Sequence, residues 1–75
     1  MQHYANRHGD SGVQSFEFNE NSITVVFPLG WKYEYNSITP GARHVEEMKR
    51  LAIQGYGLNG YINRYVRTNY ARKYR

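Results

Sequence analysis

The sequence predicts an α+β domain in which a three-stranded antiparallel meander is covered by two C-terminal helices, in the order βββαα. Apolar residues alternate with a period of two between residues 13 and 35 and then change to helical spacing after residue 40. At 75 residues, the chain has room for one hydrophobic core. We therefore expect a single domain at 13–69, between a flexible lead-in at 1–12 and a basic tail at 70–75.

The three predicted strands are 13–18, 22–27 and 31–35, and each alternates between an apolar and a polar face. Asn19-Glu20-Asn21 supplies the first turn, and Pro28-Leu29-Gly30 supplies the second. The apolar face, which we expect to be buried, carries Phe16, Phe18, Ile23, Val25, Phe27, Trp31, Tyr33 and Tyr35. For the last three, burial in the core is favoured over the alternative that they form a surface on which nucleic-acid bases stack.

Two helices are predicted to cover this face. Thr39-Pro40 is interpreted as an N-cap followed by proline at the first helical position, and the first helix then runs to about Gln54, where Gly55 offers a stop. The second helix begins at Leu58. The predicted buried stripes are Val45, Met48, Leu51 and Ala52 in the first helix and Leu58, Tyr61, Ile62, Tyr65 and Val66 in the second.

Several classes of protein are excluded by composition. The chain has no cysteine, so disulfides, thiolate zinc sites and cysteine nucleophiles are absent. No apolar run is long enough to cross a bilayer, so we expect no membrane contact and a cytoplasmic location, which would be the host cytoplasm for a phage-encoded protein. His3, His8, Asp10 and His44 are interpreted as solvent-exposed residues, with no metal or cofactor. No nucleophile and base form a recognisable pair, which predicts a protein that is not an enzyme.

The positive charge is concentrated in the second half of the chain. The formal net charge is +4. Residues 1–40 carry two bases against four acids, whereas 41–75 carry eight bases against two acids. From Leu58 to the C-terminus there are five bases and no acid. This segment projects a positive potential toward a polyanion.

Amide and guanidinium groups share the polar side of the predicted second helix. Asn63 and Arg67 lie one turn apart, and Arg64 lies on the adjacent stripe. The tail adds three bases interleaved with tyrosines, which are suited to phosphate contacts and base stacking. The candidate nucleic-acid-binding residues are Asn63, Arg64, Arg67, Tyr70, Arg72, Lys73 and Arg75.

Four motifs follow one another along the chain. They are Tyr33-Glu34-Tyr35 at the end of a strand, a helix that begins at a proline, a glycine after that helix, and Gly57-Leu58-Asn59-Gly60-Tyr61-Ile62 followed by bases and tyrosines. This order resembles the KTSC domain family, a short bacterial and phage module that also occurs at the C-terminus of some lysyl-tRNA synthetases. The family usually has a serine two residues before the glycine that follows the helix, where this chain has Ile53. Because RNA binding is suspected for its members, the resemblance implies a binding module.

The leading hypothesis is a small non-enzymatic module that binds RNA or single-stranded nucleic acid through the basic second helix and tail, mostly by neutralising phosphates. The alternative is a phage-type interaction or inhibitor module whose basic face binds a host protein or a charged nucleotide metabolite. A third hypothesis is self-association into a homo-oligomer, in which an edge strand pairs with a second copy of the chain.

Overall fold

The computed structural model describes residues 2–5 and 12–75. Within these residues, five antiparallel strands form one sheet in chain order. The strands are β1 (Gln2–His3), β2 (Ser15–Phe18), β3 (Ser22–Val26), β4 (Lys32–Asn36) and β5 (Arg72–Tyr74). The helices are α1 (Ala42–Gln54) and α2 (Leu58–Tyr61), and α2 continues into a π-helical turn at Ile62–Val66. Together with the C-cap residue Arg67, α2 and this turn form the second helix. None of the helices in this part of the chain is long and apolar enough to cross a membrane.

The buried face of the sheet lies where the alternation predicts it. In the observed register Val25 lies between Phe16 and Tyr33, and Ile23 lies between Phe18 and Tyr35. Four of these side chains are fully buried, namely Phe16, Ile23, Val25 and Tyr35. Phe18, predicted to be buried, is instead 43% exposed at the rim, with its ring stacked against that of Phe16 and covered on one side by Lys49. The α+β class is confirmed by this arrangement.

The two helices cover this face through their predicted apolar stripes. Gly55 ends α1 as predicted, because its φ of 89° is left-handed and its N–H donates a hydrogen bond of 3.0 Å to the Leu51 carbonyl. Tyr65, predicted to be buried, is instead 56% exposed. Tyr65 lies in the π-helical turn at Ile62–Val66, whose i→i+5 hydrogen-bond spacing departs from the α-helical period on which the predicted stripe depends. The buried helical residues are Val45, Met48, Leu51, Ala52, Leu58, Ile62 and Val66.

The prediction of three strands was wrong, because both ends of the chain add an edge strand. Gln2 pairs with Phe16 in β1, and Lys73 pairs with Tyr33 in β5, although these segments were assigned to a flexible lead-in and to a tail. Tyr4 follows β1 and is buried in the core, where its hydroxyl accepts a hydrogen bond of 3.2 Å from the Leu58 N–H. Backbone pairing at a sheet edge needs no alternation of apolar side chains, so the sequence pattern did not indicate it. Residues 6–11, and with them the predictions for His8 and Asp10, lie outside the described residues.

The predicted start of α1 was also wrong. Asn36 ends β4, and its side-chain oxygen accepts hydrogen bonds from the N–H groups of Ile38 (3.0 Å) and Thr39 (2.8 Å). Thr39 and Pro40, joined by a cis peptide bond, belong to this turn and are therefore not the N-cap and first residue of the helix. Gly41 precedes the helix with a φ of 121°, and α1 begins at Ala42.

We expect Tyr4→Ala to lower the free energy of unfolding by about 3–5 kcal/mol, because it removes a large core side chain. Tyr4→Phe should cost about 1 kcal/mol, since it keeps the ring in the core and removes the acceptor for the buried Leu58 N–H. Urea unfolding followed by circular dichroism measures both. His3→Ala is the control, because His3, in β1, is the exposed neighbour of Tyr4 and should change stability by less than about 0.5 kcal/mol. Equal stability of Tyr4→Ala and His3→Ala would contradict the assignment of Tyr4 to the core.

Candidate functional site

A groove with a volume of about 430 Å³ opens between β4, the residues around β5, and the second helix. This volume lies within the range of small-ligand pockets, about 300–1,000 Å³. The β4–β5 pairing and the packing of Ile62 on the sheet bring the walls together. The lining residues are Phe27, Trp31, Tyr33, Tyr35, Ile62, Asn63, Arg67, Thr68, Tyr70 and Lys73.

Aromatic rings form much of the groove wall. The ring of Tyr33 meets Phe27 and Tyr70 edge to face, with centroids 5.2 Å apart in both pairs. Tyr35 is fully buried, as predicted for the core, whereas Trp31 and Tyr33 are only half-buried and also line the groove. The rings that were predicted to be core therefore divide between the interior and a surface that a ligand can reach.

Two cations from the C-terminal segment lie over Trp31. The Lys73 Nζ is 4.8 Å from the centroid of the Trp31 ring and 5.4 Å from that of Tyr33. The Arg75 guanidinium carbon is also 4.8 Å from the Trp31 centroid. Arg75 is anchored, because its Nε and Nη2 donate hydrogen bonds of 3.1 and 2.9 Å to the Leu29 carbonyl. The register that pairs Lys73 with Tyr33 places these cations on the groove side of the sheet.

The second helix supplies the remaining polar groups. Asn63 and Arg67 lie one turn apart on it, both are exposed, and both line the groove. Ion pairs in the described part of the chain join Lys49 to Glu46, Arg50 to Glu47 and Arg72 to Glu34. Arg67, Lys73 and Arg75 therefore have no carboxylate partner among residues 2–5 and 12–75. The described lining includes no acid, so the groove has a positive potential.

The groove brings together four of the seven candidate binding residues, Asn63, Arg67, Tyr70 and Lys73, and Arg75 lies beside it on Trp31. Arg64 lies elsewhere, in a depression that it shares with Glu47 and Tyr65. Arg72 points to the opposite face of the sheet, where it forms an ion pair of 3.0 Å with Glu34 and lies 4.3 Å from the Tyr74 ring centroid. The alternation of a β-strand separates Arg72 from its two basic neighbours.

The sequence did not indicate Thr68 and Phe27 as parts of the site, and it favoured burial over base stacking for Trp31, which is half-buried and lines the groove. The spacing of Tyr70, Arg72 and Tyr74 at every second residue was the available signal for a strand, and the acidic Glu34 in β4 was a candidate partner for Arg72. Neither signal was specific, because both faces of β5 are polar and a basic tail has the same composition.

A second aromatic cluster lies between α1 and the second helix. His44, predicted to be solvent-exposed, is half-buried and shares a hydrogen bond of 2.6 Å between its Nδ1 and the Tyr61 hydroxyl. Burial raises the pKa of Tyr61, whose ring centroid is 4.8 Å from that of Tyr65. Glu46 and Glu47 border this cluster, so its charge is mixed in sign and suits a polyanion less well than the groove does. No group of three or more potential metal ligands occurs among the residues that the structure describes.

Burial raises the pKa of the Tyr35 hydroxyl far above its ordinary value, with smaller contributions from Tyr33 and Tyr70. Above pH ~10 the unfolded chain loses this proton while the folded chain keeps it. The free energy of unfolding should therefore be maintained below pH ~10 and fall above it, by up to about 1.4 kcal/mol per pH unit from this group.

Urea titrations at a series of alkaline pH values measure this loss. Tyr35→Phe should lose stability less steeply with rising pH than the wild type does, because it removes the buried hydroxyl that keeps its proton in the folded chain. The same alkaline slope in Tyr35→Phe and the wild type would show that Tyr35 does not hold its proton in the folded state.

Comparisons of the chain with family models, with curated proteins and with solved structures gave no match. The resemblance to the KTSC family therefore stays a prediction that depends on the order of motifs along the chain.

Proposed function

We propose that this protein is a non-enzymatic module that binds RNA or single-stranded nucleic acid in the groove between β4, β5 and the second helix. The observation that carries the proposal is the combination of half-buried aromatic rings with cations that have no carboxylate partner in the described chain. Proteins that bind single strands without strong sequence preference use the same combination, a positive groove that follows the backbone and rings that stack on bases.

The phosphate contribution comes from two elements that flank the groove. Arg67 approaches from the second helix, and Lys73 and Arg75 approach from the C-terminal segment. A cation without a carboxylate partner contacts a phosphate without first breaking an ion pair, and it releases condensed counterions from the strand. Arg72 lacks this advantage because it is already paired with Glu34.

The base contribution comes from the aromatic wall. Trp31, Tyr33 and Tyr70 line the groove together with the polar residues Asn63 and Thr68. Bases in a duplex are already stacked on their neighbours, whereas an unpaired base has a free face. The aromatic wall therefore favours single-stranded nucleic acid over duplex.

Binding of a fluorescent single-stranded oligonucleotide, measured by anisotropy over a range of salt concentrations, tests the proposal. If Arg67, Lys73 and Arg75 each contact a phosphate, log affinity should fall with log salt at a slope of about −2. Arg67→Gln should reduce that slope by about 0.7 and weaken binding at low salt. Arg64→Gln is the matched control, because it removes the same charge from the same helix but lies outside the groove, and its slope should stay closer to that of the wild type.

Two results would overturn the proposal. The first is an absence of binding at low salt, and the second is an equal effect of Arg64→Gln and Arg67→Gln, which would indicate attraction by bulk charge alone. Capture of one acidic host protein at one-to-one stoichiometry after nuclease treatment, without oligonucleotide binding, would favour the alternative of a protein-interaction module.

A further inference from the structure

We infer that Trp31 is the surface on which one unpaired base stacks, and that the Lys73 ammonium occupies this surface in the free protein until a base displaces it. This inference depends on the proposed function and specifies its ligand, a single strand with at least one accessible base. It also assigns the two cations over Trp31 different roles.

The contacts of the two cations differ. Arg75 is held in place by two hydrogen bonds to the Leu29 carbonyl, so its guanidinium is a fixed part of the groove rim. Lys73 has neither a carboxylate partner nor a hydrogen-bonded acceptor for its ammonium within the described residues. The Lys73 Nζ lies over the rings of Trp31 and Tyr33, at 4.8 and 5.4 Å from their centroids. Lys73 is therefore the cation that a competing ligand removes most easily.

A nucleotide offers a replacement for both halves of this contact. Its base stacks on the indole ring, and a stack of base on aromatic ring is worth more than an exposed cation–π contact. Its phosphate then accepts a hydrogen bond from the displaced ammonium, which the flexible lysine side chain can bring to it. The exchange leaves neither the ring nor the ammonium without a partner.

The exchange of Lys73 for a base on Trp31 also predicts which nucleic acids bind weakly. A strand without bases supplies phosphates but nothing to stack on Trp31, so it leaves Lys73 in place. A duplex supplies phosphates and bases whose faces are already covered. We therefore expect the groove to distinguish a strand with accessible bases from an abasic strand of equal charge.

Trp31 is the single tryptophan of the chain, so its fluorescence reports on this surface directly. Wild-type protein is titrated with a short oligothymidylate and with an abasic oligonucleotide of the same length and phosphate count. We expect the oligothymidylate to quench Trp31 and the abasic strand to leave its emission nearly unchanged. The abasic strand should also bind at least about fivefold more weakly.

Lys73→Ala tests the role of the lysine. It should increase the quenching of Trp31 by acrylamide in the free protein, because the ring loses one of the two cations that lie over it while Arg75 remains. Lys32→Ala is the matched control, since Lys32 also lies over an aromatic ring, that of Tyr74, and also belongs to a strand. This control should leave acrylamide quenching of Trp31 unchanged.

The outcomes distinguish a failure of the inference about Trp31 from a failure of the proposed nucleic-acid binding. Equal binding of both strands without a change in Trp31 emission would overturn the role of Trp31 and leave nucleic-acid binding intact. Equal acrylamide quenching in Lys73→Ala and the wild type would overturn the occupation of the ring by Lys73. If neither strand binds, the proposed function fails, and the inference about Trp31 fails with it.

Discussion

The antiparallel pairing of β5 with β4 is the interaction on which the groove depends. The Ala71 N–H donates a hydrogen bond of 2.7 Å to the Glu34 carbonyl, and the register then sets Lys73 opposite Tyr33 and Arg72 opposite Glu34. Because side chains alternate along a strand, this single register places Lys73 on the aromatic side and Arg72 on the acidic side. A slip of one residue would exchange these positions and bring Arg72 to the groove.

The two contacts compared at Trp31 are the cation–π contact with Lys73 and the stacking of a base on the indole ring. An exposed cation–π contact is worth about 0.5–1 kcal/mol, whereas the stacking of a base on an aromatic side chain is worth about 1–3 kcal/mol. We therefore expect the contact of Lys73 with the ring to be too weak to exclude a base. Arg75 is bound more firmly, since two hydrogen bonds to Leu29 add to its contact with the same ring.

The sequence could predict the elements in which the spacing of apolar side chains marks a buried face. The period-two pattern located β3 and the burial of Tyr35, and the helical spacing located α1 and the burial of Leu58. It could not locate β1 and β5, because edge strands are held by backbone hydrogen bonds to a neighbour that lies far away in sequence. For the same reason it identified Lys73 as basic but could not place it on Trp31, a contact between residues that are 42 positions apart in sequence.

Binding and stability are coupled in a domain of this size. Full burial of a large apolar side chain contributes about 1.5–3 kcal/mol, so leaving Trp31 and Tyr33 half-buried forgoes part of that stabilisation. A ligand that covers these rings removes further apolar area from water and binds only the folded state, in which the groove exists. The surface that the proposed strand would cover is thus also an unused part of the hydrophobic core, and we expect its occupation to stabilise the sheet edge that creates the groove.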